Sequence, residues 1–341
     1  MLKRVSASFF LSIIFCAIAF SQSVQKFAEI GNFKLENGEI IQSCRVGYRT
    51  FGKLNSDKSN AILFPTWFGG NSAGLTGLIG PGNMADSTKY FIIAVDALGD
   101  GESSSPSNSK LQPKEKFPQF NIRDMVNSQY IFITKILQLK HLLCVMGGSM
   151  GGMQTFQWIV SYPDFMDKAV AWVGSPKLTS YDLLLWNTEL QVINSELQSS
   201  VPENEIMKSI ADITDLNIRT PDYNVKHIKP EDFYSQLKKY RESFGRGFNV
   251  YNWRSQLKAM IAHNVSYPYG DDMNKAAARV KAKVLSIVSL QDHMVNPAPA
   301  IEFAKMINAK TLELNNDCGH LGPGCEMEKV NKAVNEFLDE K

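Results

Sequence analysis

One serine, Ser149, stands among glycines in the segment GGSMG, residues 147–151. The spacing G-x-S-x-G is that of a nucleophile elbow, in which a sharp turn between a strand and a helix exposes a serine hydroxyl. The apolar run HLLCVM before the segment is typical of a buried strand, and MQTFQWIV after it is typical of a helix. We therefore predict that Ser149 is a nucleophile; the alternative is a glycine-rich connecting loop without chemistry.

A serine hydroxyl needs a base before it can attack, and the sequence contains five histidines. In sites built on this elbow an acid and then the histidine follow the serine along the chain. His320 lies in the loop NNDCGHLGPG, between the run KTLELN and the last helical pattern, and is the predicted base. His293 is expected to border the substrate pocket. The remaining three are expected to have surface or structural roles: His141, His227 and His263.

The acid is expected directly after the strand candidate VLSIVSL, where the sequence places Asp292. Its carboxylate would hold the imidazole of His320 in the useful tautomer and stabilise the imidazolium that forms during attack. The alternative for Asp292 is a loop-capping role. Asp317 is too close in sequence to His320 for the usual geometry.

An oxyanion hole needs two backbone N–H groups that point at the developing negative charge. Met150, the residue after the nucleophile, is the first predicted donor. The second is expected in the loop FPTWFGGN, from Phe68 or Trp67, because the two glycines that follow let the loop approach closely. Packing of the two aromatic side chains beneath another segment is compatible with this role, since the donor is backbone.

The elements that must position these residues are short apolar runs, each bounded by Gly, Pro, Asp or Ser. Continuous apolar runs that alternate with helical patterns predict an α/β fold, with a mostly parallel central sheet and helices on both faces. The runs are AILFPTWF, YFIIAVDALG, HLLCVMGG, KAVAWVGS and AKVLSIVSL.

The region from about residue 176 to 275 differs, because it reads as helical and has no buried strand run. We expect it to be an inserted lid over the carboxyl ends of the strands, where sites form in parallel sheets. The predicted division is a signal peptide (1–21), a first part of the core (22–175), a helical lid (176–275) and a second part of the core (276–341).

The first residues predict export to the periplasm or the medium. Lys3 and Arg4 precede an apolar run over residues 9–20, and Ala19-Phe20-Ser21 offers a cleavage site. An uncleaved anchor is the alternative, although the run is short for a bilayer. The chain has 36 basic and 34 acidic residues, so loss of Lys3 and Arg4 leaves the two equal, with no charge that favours nucleic acid or an anionic membrane.

Four cysteines follow the predicted cleavage site, and export would permit disulfides. Cys144 lies in an apolar run and is expected to be a buried thiol. Cys318 and Cys325 bracket the loop of His320 and either pair or stay reduced. We predict no cofactor and no metal; the expected partner is a small-molecule ester or acyl substrate, with a homodimer left open.

Beyond the fold, the motifs resemble the homoserine O-acetyltransferase family of α/β-hydrolases. The segments VGYRTFGKLNSDKSNAIL, FPQFNIRDMVNSQ and GGSMGGMQTFQW followed by YPD are similar to that family's signatures. The resemblance implies an α/β-hydrolase fold with an inserted lid. It also implies Ser149 as nucleophile, Asp292 as acid and His320 as base.

Three departures from the family concern the acceptor. Gln191 stands where the family has an arginine for the homoserine carboxylate, Leu321 where it has an aspartate for the amine, and residues 66–70 read TWFGG in place of H-x-x-T-G. Loss of both charged partners removes most of what selects an amino acid. We therefore favour an exported hydrolase that acts on esters. The alternatives are an O-acyltransferase with another acceptor and a non-catalytic ligand-binding protein.

Overall fold

The computed structural model describes residues 23–340, so the predicted signal peptide lies outside the described residues. Eight strands form one sheet in the order β1-β2-β4-β3-β5-β6-β7-β8. β1 and β2 pair antiparallel, as do β2 and β4, and all other neighbours are parallel. The strands are β1 (Lys26–Lys34), β2 (Ile40–Phe51), β3 (Ala61–Pro65), β4 (Phe91–Val95), β5 (Leu142–Gly148), β6 (Met166–Trp172), β7 (Lys283–Ser289) and β8 (Lys310–Leu314).

The central strands coincide with the apolar runs of the sequence, and the predicted α/β fold is confirmed. In β3 every residue is buried, because helices cover both faces of the sheet. Leu63 packs on one face with Phe156, whereas Ile62 packs on the other with Phe337. The antiparallel strands β1 and β2 were not predicted, since they alternate exposed and buried positions irregularly and carry a bulge.

Eleven α-helices lie in the described part of the chain. None of them combines the length and the apolar character that crossing a membrane would require. They are α1 (Ile122–Ile131), α2 (Met150–Ser161), α3 (Ser180–Gln198), α4 (Glu203–Ile218), α5 (Pro221–His227), α6 (Phe233–Gly247), α7 (Val250–Ile261), α8 (Met273–Ala277), α9 (Ala298–Met306), α10 (Gly322–Cys325) and α11 (Met327–Asp339).

The segment between β6 and β7 is helical, as the sequence indicates, and contains α3 to α8. Within it α3 packs against α4 and α7, and α4 packs against α6. Thr179 caps α3 through a capping box with Asp182, which fixes where the first of these helices begins. The predicted boundary at residue 275 falls inside α8, and the division into core and lid stays a prediction.

Candidate active site

Ser149 occupies the turn between the end of β5 and the start of α2. Its φ of 56° and ψ of −124° are strained for a residue with a side chain. The flanking glycines are required by space: a Cβ at Gly147 would lie 2.4 Å from the carbonyl oxygen of Gly151, and one at Gly151 would lie 2.6 Å from that of Pro65. The hydroxyl is therefore held at the tip of a tight strand–turn–helix corner.

The structure brings Ser149, His320 and Asp292 together, although 171 and 28 residues separate the successive pairs. His320 Nε2 lies 2.9 Å from Ser149 Oγ, and His320 Nδ1 lies 2.7 Å from Asp292 Oδ2. The other carboxylate oxygen of Asp292 accepts from the backbone N–H groups of Met294 and Val295 at 2.8 and 2.9 Å. Asp292 Oδ2 therefore points at the imidazole, and the opposite ring nitrogen, Nε2, points at the Ser149 hydroxyl.

Asp317, the competing acid, faces away from the imidazole. Its carboxylate binds Lys226 Nζ at 2.5 Å, and that hydrogen bond lowers the pKa of Asp317. Its carbonyl oxygen accepts from the Thr220 side chain at 2.6 Å. Asp317 therefore joins the loop of His320 to the inserted helices and has no part in the contact with His320.

The backbone N–H groups of Met150, Trp67 and Phe68 have no acceptor among the described residues, so all three could donate to an anionic oxygen. Two contacts with α7 hold the loop that contains Phe68 in place. Gly69 N–H donates to Gln256 Oε1 at 2.9 Å, and the Phe68 ring lies 3.9 Å, centre to centre, from that of Trp253. Trp67 and Phe68 also contribute side chains to the cavity described next.

A cavity of about 700 Å³ lies over Ser149 and His320, between the sheet and the inserted helices. Its wall is mostly aromatic and aliphatic, and includes Trp172, Trp186, Phe244 and Met260. Such a site would bind a small, largely apolar molecule beside the serine hydroxyl. Besides Ser149 and His320, six residues with polar side-chain groups line it: Glu189, Thr214, Arg219, Tyr223, Tyr240 and Ser243.

Two predictions for the pocket are corrected by the structure, whereas Leu321 does line the cavity. Gln191 is exposed, and its side-chain amide donates to Ser195 Oγ at 3.3 Å. It lines a separate surface depression, because it lies on the face of α3 opposite Trp186 and Glu189. His293 is partly exposed and is absent from the cavity wall, because the turn capped by Asp292 directs Met294 and Val295 inward instead.

The sequence analysis missed Glu189, which is only 3% exposed and lines the cavity. Burial raises its pKa to about 7, against the opposing hydrogen bond from Trp253. A signal for this position exists: Glu189 lies three residues after Trp186 and four before Ile193, so it shares the buried stripe of α3. Arg219 was also missed; it lies over the ring of Tyr223 at 5.0 Å.

A disulfide joins Cys318 and Cys325, which decides between the two states that the sequence left open. The bridge closes a short ring that contains His320, and Cys325 lines the cavity. The two other cysteines of the described chain, Cys44 and Cys144, are buried free thiols.

Comparison with known proteins finds the same architecture. The model of the alpha/beta hydrolase fold matches residues 60–323. Ethyl acetate hydrolase of Pseudomonas veronii is 30% identical over 311 residues, which cover 86% of this chain and 88% of the relative. Homoserine O-acetyltransferase of Pelobacter propionicus is 29% identical, with 90% and 93% covered. The crystal structure of an acetylester hydrolase from Corynebacterium glutamicum superposes with a TM-score of 0.86 at 26% identity, over 94% and 97% of the chains.

Proposed function

Because the chain belongs to the α/β-hydrolase family, and is an enzyme of the serine-hydrolase or acyl-transfer type, we propose that it hydrolyses short-chain carboxylic esters through Ser149, Asp292 and His320. The homoserine O-acetyltransferase relatives confirm the resemblance drawn from the sequence motifs. The observation that carries the proposal is the unbroken line of hydrogen-bond distances from Asp292 through His320 to Ser149 on the floor of the cavity.

In the proposed reaction, Ser149 Oγ attacks the ester carbonyl carbon while His320 Nε2 accepts the hydroxyl proton. The carbonyl oxygen becomes an oxyanion that the N–H groups of Met150 and Phe68 or Trp67 would stabilise. Collapse of this intermediate breaks the ester C–O bond, and the leaving alcohol takes the proton from His320. A water molecule, deprotonated by the same imidazole, then releases the acid and restores Ser149.

A short acyl group is supported by the relatives, of which one is named for ethyl acetate and another for acetyl esters. The mostly apolar cavity suits a neutral ester better than a zwitterionic amino acid, because an unpaired buried charge costs several kcal/mol. Leu321 presents no charge to an amine. Arg219 stacks on Tyr223 and lies near Asp215, whose burial-raised pKa it opposes, so its charge is partly matched already.

A second candidate is acyl transfer to an amino-acid acceptor, which Arg219 and Glu189 on the cavity wall favour. Competition separates the two candidates. Purified protein is incubated with ethyl acetate and an excess of homoserine, and free acetate and O-acetyl-homoserine are separated, with Ser149→Ala as the blank. If the protein is a hydrolase, free acetate should be the main product at every homoserine concentration. Predominance of O-acetyl-homoserine would replace the hydrolase assignment by the transferase one.

Export is the remaining part of the proposal and is motivated by the basic and apolar N-terminal residues. Expression of the full chain should yield a product in the periplasm or medium that begins near Gln22. Intact-mass analysis of that fraction tests the cleavage site. A product that keeps Met1 and sediments with membranes would overturn the export claim and leave the ester chemistry untouched.

A further inference from the structure

The cavity wall contains a buried carboxyl group whose hydrogen bonding is incomplete. Glu189 Oε2 accepts from Trp253 Nε1 at 3.3 Å, and Oε1 has no hydrogen-bond partner among the described residues. Oε1 is not among the fully buried unpaired atoms, so it faces the open part of the cavity, where water or a bound molecule can reach it. A bound molecule that donates a hydrogen bond to Oε1 would supply a partner for it in this largely apolar wall.

A second polar atom on the same wall lacks a partner. Thr214, on the neighbouring helix α4, is 5% exposed, and its Oγ1 is buried with no hydrogen bond in the described part of the chain. A threonine inside a helix usually satisfies its hydroxyl on the carbonyl four residues earlier, and Thr134 and Thr155 of this chain do so. The residue lines the cavity, so a rotation about its Cα–Cβ bond would turn the unpaired hydroxyl toward a group bound there.

The two residues line the same cavity from two helices that contact each other, α3 and α4. Tyr240, on α6, lines the same cavity, and its hydroxyl also lacks a partner among the described residues. Burial raises the pKa of Tyr240, and the nearby carboxylates of Asp215 and Glu189 add to this effect while Arg219 opposes it. The patch therefore comprises Glu189, Thr214 and Tyr240, from three helices, in a wall that is otherwise largely apolar.

We propose that the patch of Glu189, Thr214 and Tyr240 binds a hydroxyl group on the alcohol portion of the substrate, so that the preferred substrates are monoesters of diols or longer polyols. This inference rests on the proposed ester hydrolysis. A hydroxyl group both donates and accepts, so it can serve Glu189 Oε1 and Thr214 Oγ1 together. The short acyl group leaves the rest of the cavity to the alcohol.

A hydroxyl fits the patch better than an ammonium group does. Transfer of an ammonium ion into this apolar wall requires an ionised carboxylate to pair with it, and burial already favours the neutral form of Glu189. A hydroxyl can bind the carboxyl group in either protonation state. An ammonium-bearing alcohol is therefore the competing occupant that the experiment must distinguish.

The test compares kcat/KM for linear diol monoacetates with kcat/KM for alkyl acetates of equal carbon number, followed by acid release. Wild-type protein should favour the diol monoacetate at the chain length that reaches the patch. Thr214→Val keeps the side-chain shape and should lower this preference roughly two- to tenfold, the value of one hydrogen bond. Glu189→Leu should lower it at least as much, and Glu189→Gln, which keeps an acceptor for Trp253, should lower it less. The preference is the ratio of the two kcat/KM values, so a loss of activity that is common to both esters does not change it.

Matched controls are Thr188→Val, an exposed threonine of α3, and Glu242→Gln on α6, neither of which lines the cavity. Both should keep the wild-type ratio. An unchanged ratio in Thr214→Val, or no preference for diol esters at any length, overturns the inference. A higher kcat/KM for aminoalkyl acetates that collapses in Glu189→Gln would also overturn it and assign the patch to a cation. If wild-type protein hydrolyses neither series, the proposed function itself fails.

Discussion

Gln154 and Thr66 join the two segments that carry the predicted oxyanion donors. Gln154 Nε2 donates to the carbonyl oxygen of Thr66 at 3.0 Å and to that of Met150 at 3.2 Å. Its Oε1 accepts from Gln129 Nε2 at 2.6 Å, and Gln129 Oε1 accepts from Trp158 Nε1 at 2.8 Å. These side chains are almost wholly buried, so one amide fixes the start of α2 relative to the loop of Trp67 and Phe68.

Replacement of this amide should impair catalysis more than binding. In Gln154→Leu the Thr66 carbonyl and the Gln129 amide lose their partners, at a cost of about 1–3 kcal/mol in the free energy of unfolding. Misplaced oxyanion donors should lower kcat by roughly 10- to 100-fold with little change in KM. The control is Gln157→Leu, on the same helix, which removes only a bond to Ser161. A destabilised Gln154→Leu protein with wild-type kcat would remove the oxyanion interpretation.

Loss of the proposed nucleophile or base should abolish turnover. Ser149→Ala and His320→Ala should each lower kcat by about 10⁴ or more, because the two groups act as a unit. A fluorophosphonate probe should label the wild-type protein at Ser149 and should not label Ser149→Ala. Circular dichroism checks that both variants are folded. Normal hydrolysis by Ser149→Ala would show that another residue performs the chemistry.

The disulfide should support both stability and activity, because it closes the ring that holds His320. For a ring of this size, chain entropy predicts a loss of about 2.5 kcal/mol when both cysteines are replaced by serine. The double variant Cys318→Ser/Cys325→Ser should also have a lower kcat, as the imidazole gains freedom. Urea unfolding and ester hydrolysis measure the two effects. The variant Cys44→Ser offers a comparison in which a buried thiol changes but the ring remains intact.

His263 should make the protein less stable in mild acid. It is 4% exposed, its Nε2 lies 2.9 Å from the Ser175 carbonyl oxygen, and burial lowers its pKa from 6.5 to about 4. Between these values the unfolded chain binds a proton that the folded chain does not. The free energy of unfolding should therefore fall by about 3 kcal/mol as the pH drops from 6.5 to 4.

Urea unfolding across this pH range tests the prediction, with His263→Gln as the variant that cannot titrate. As the pH falls, the free energy of unfolding of the wild-type protein should decrease relative to that of His263→Gln. His141, which is exposed, supplies the replacement His141→Gln as a control for the substitution of an imidazole outside the core. Parallel curves for wild type and His263→Gln would contradict the assigned pKa.

The sequence by itself was sufficient for the buried strands and for the elbow at Ser149. Both are local: a strand covered on two faces needs a continuous apolar run, and a strand–turn–helix corner needs glycines at fixed offsets. The approach of Asp292 and His320 to Ser149 could be predicted for a related reason, since each lies in a loop directly after a recognisable strand. The carboxyl ends of parallel strands share one edge of the sheet, so residues far apart in sequence converge there.

Only the tertiary structure decided which residues of the inserted helices face Ser149. An amphipathic pattern identifies a buried stripe, yet it does not say which neighbour covers that stripe, because side-chain direction depends on how the helices pack. Gln191 was therefore assigned to the pocket although it faces outward, and Glu189, two residues earlier, was overlooked. The missing partner of Thr214 is likewise a property of the assembled wall, since an unsatisfied hydroxyl exists only once α3, α4 and α6 have excluded water from it.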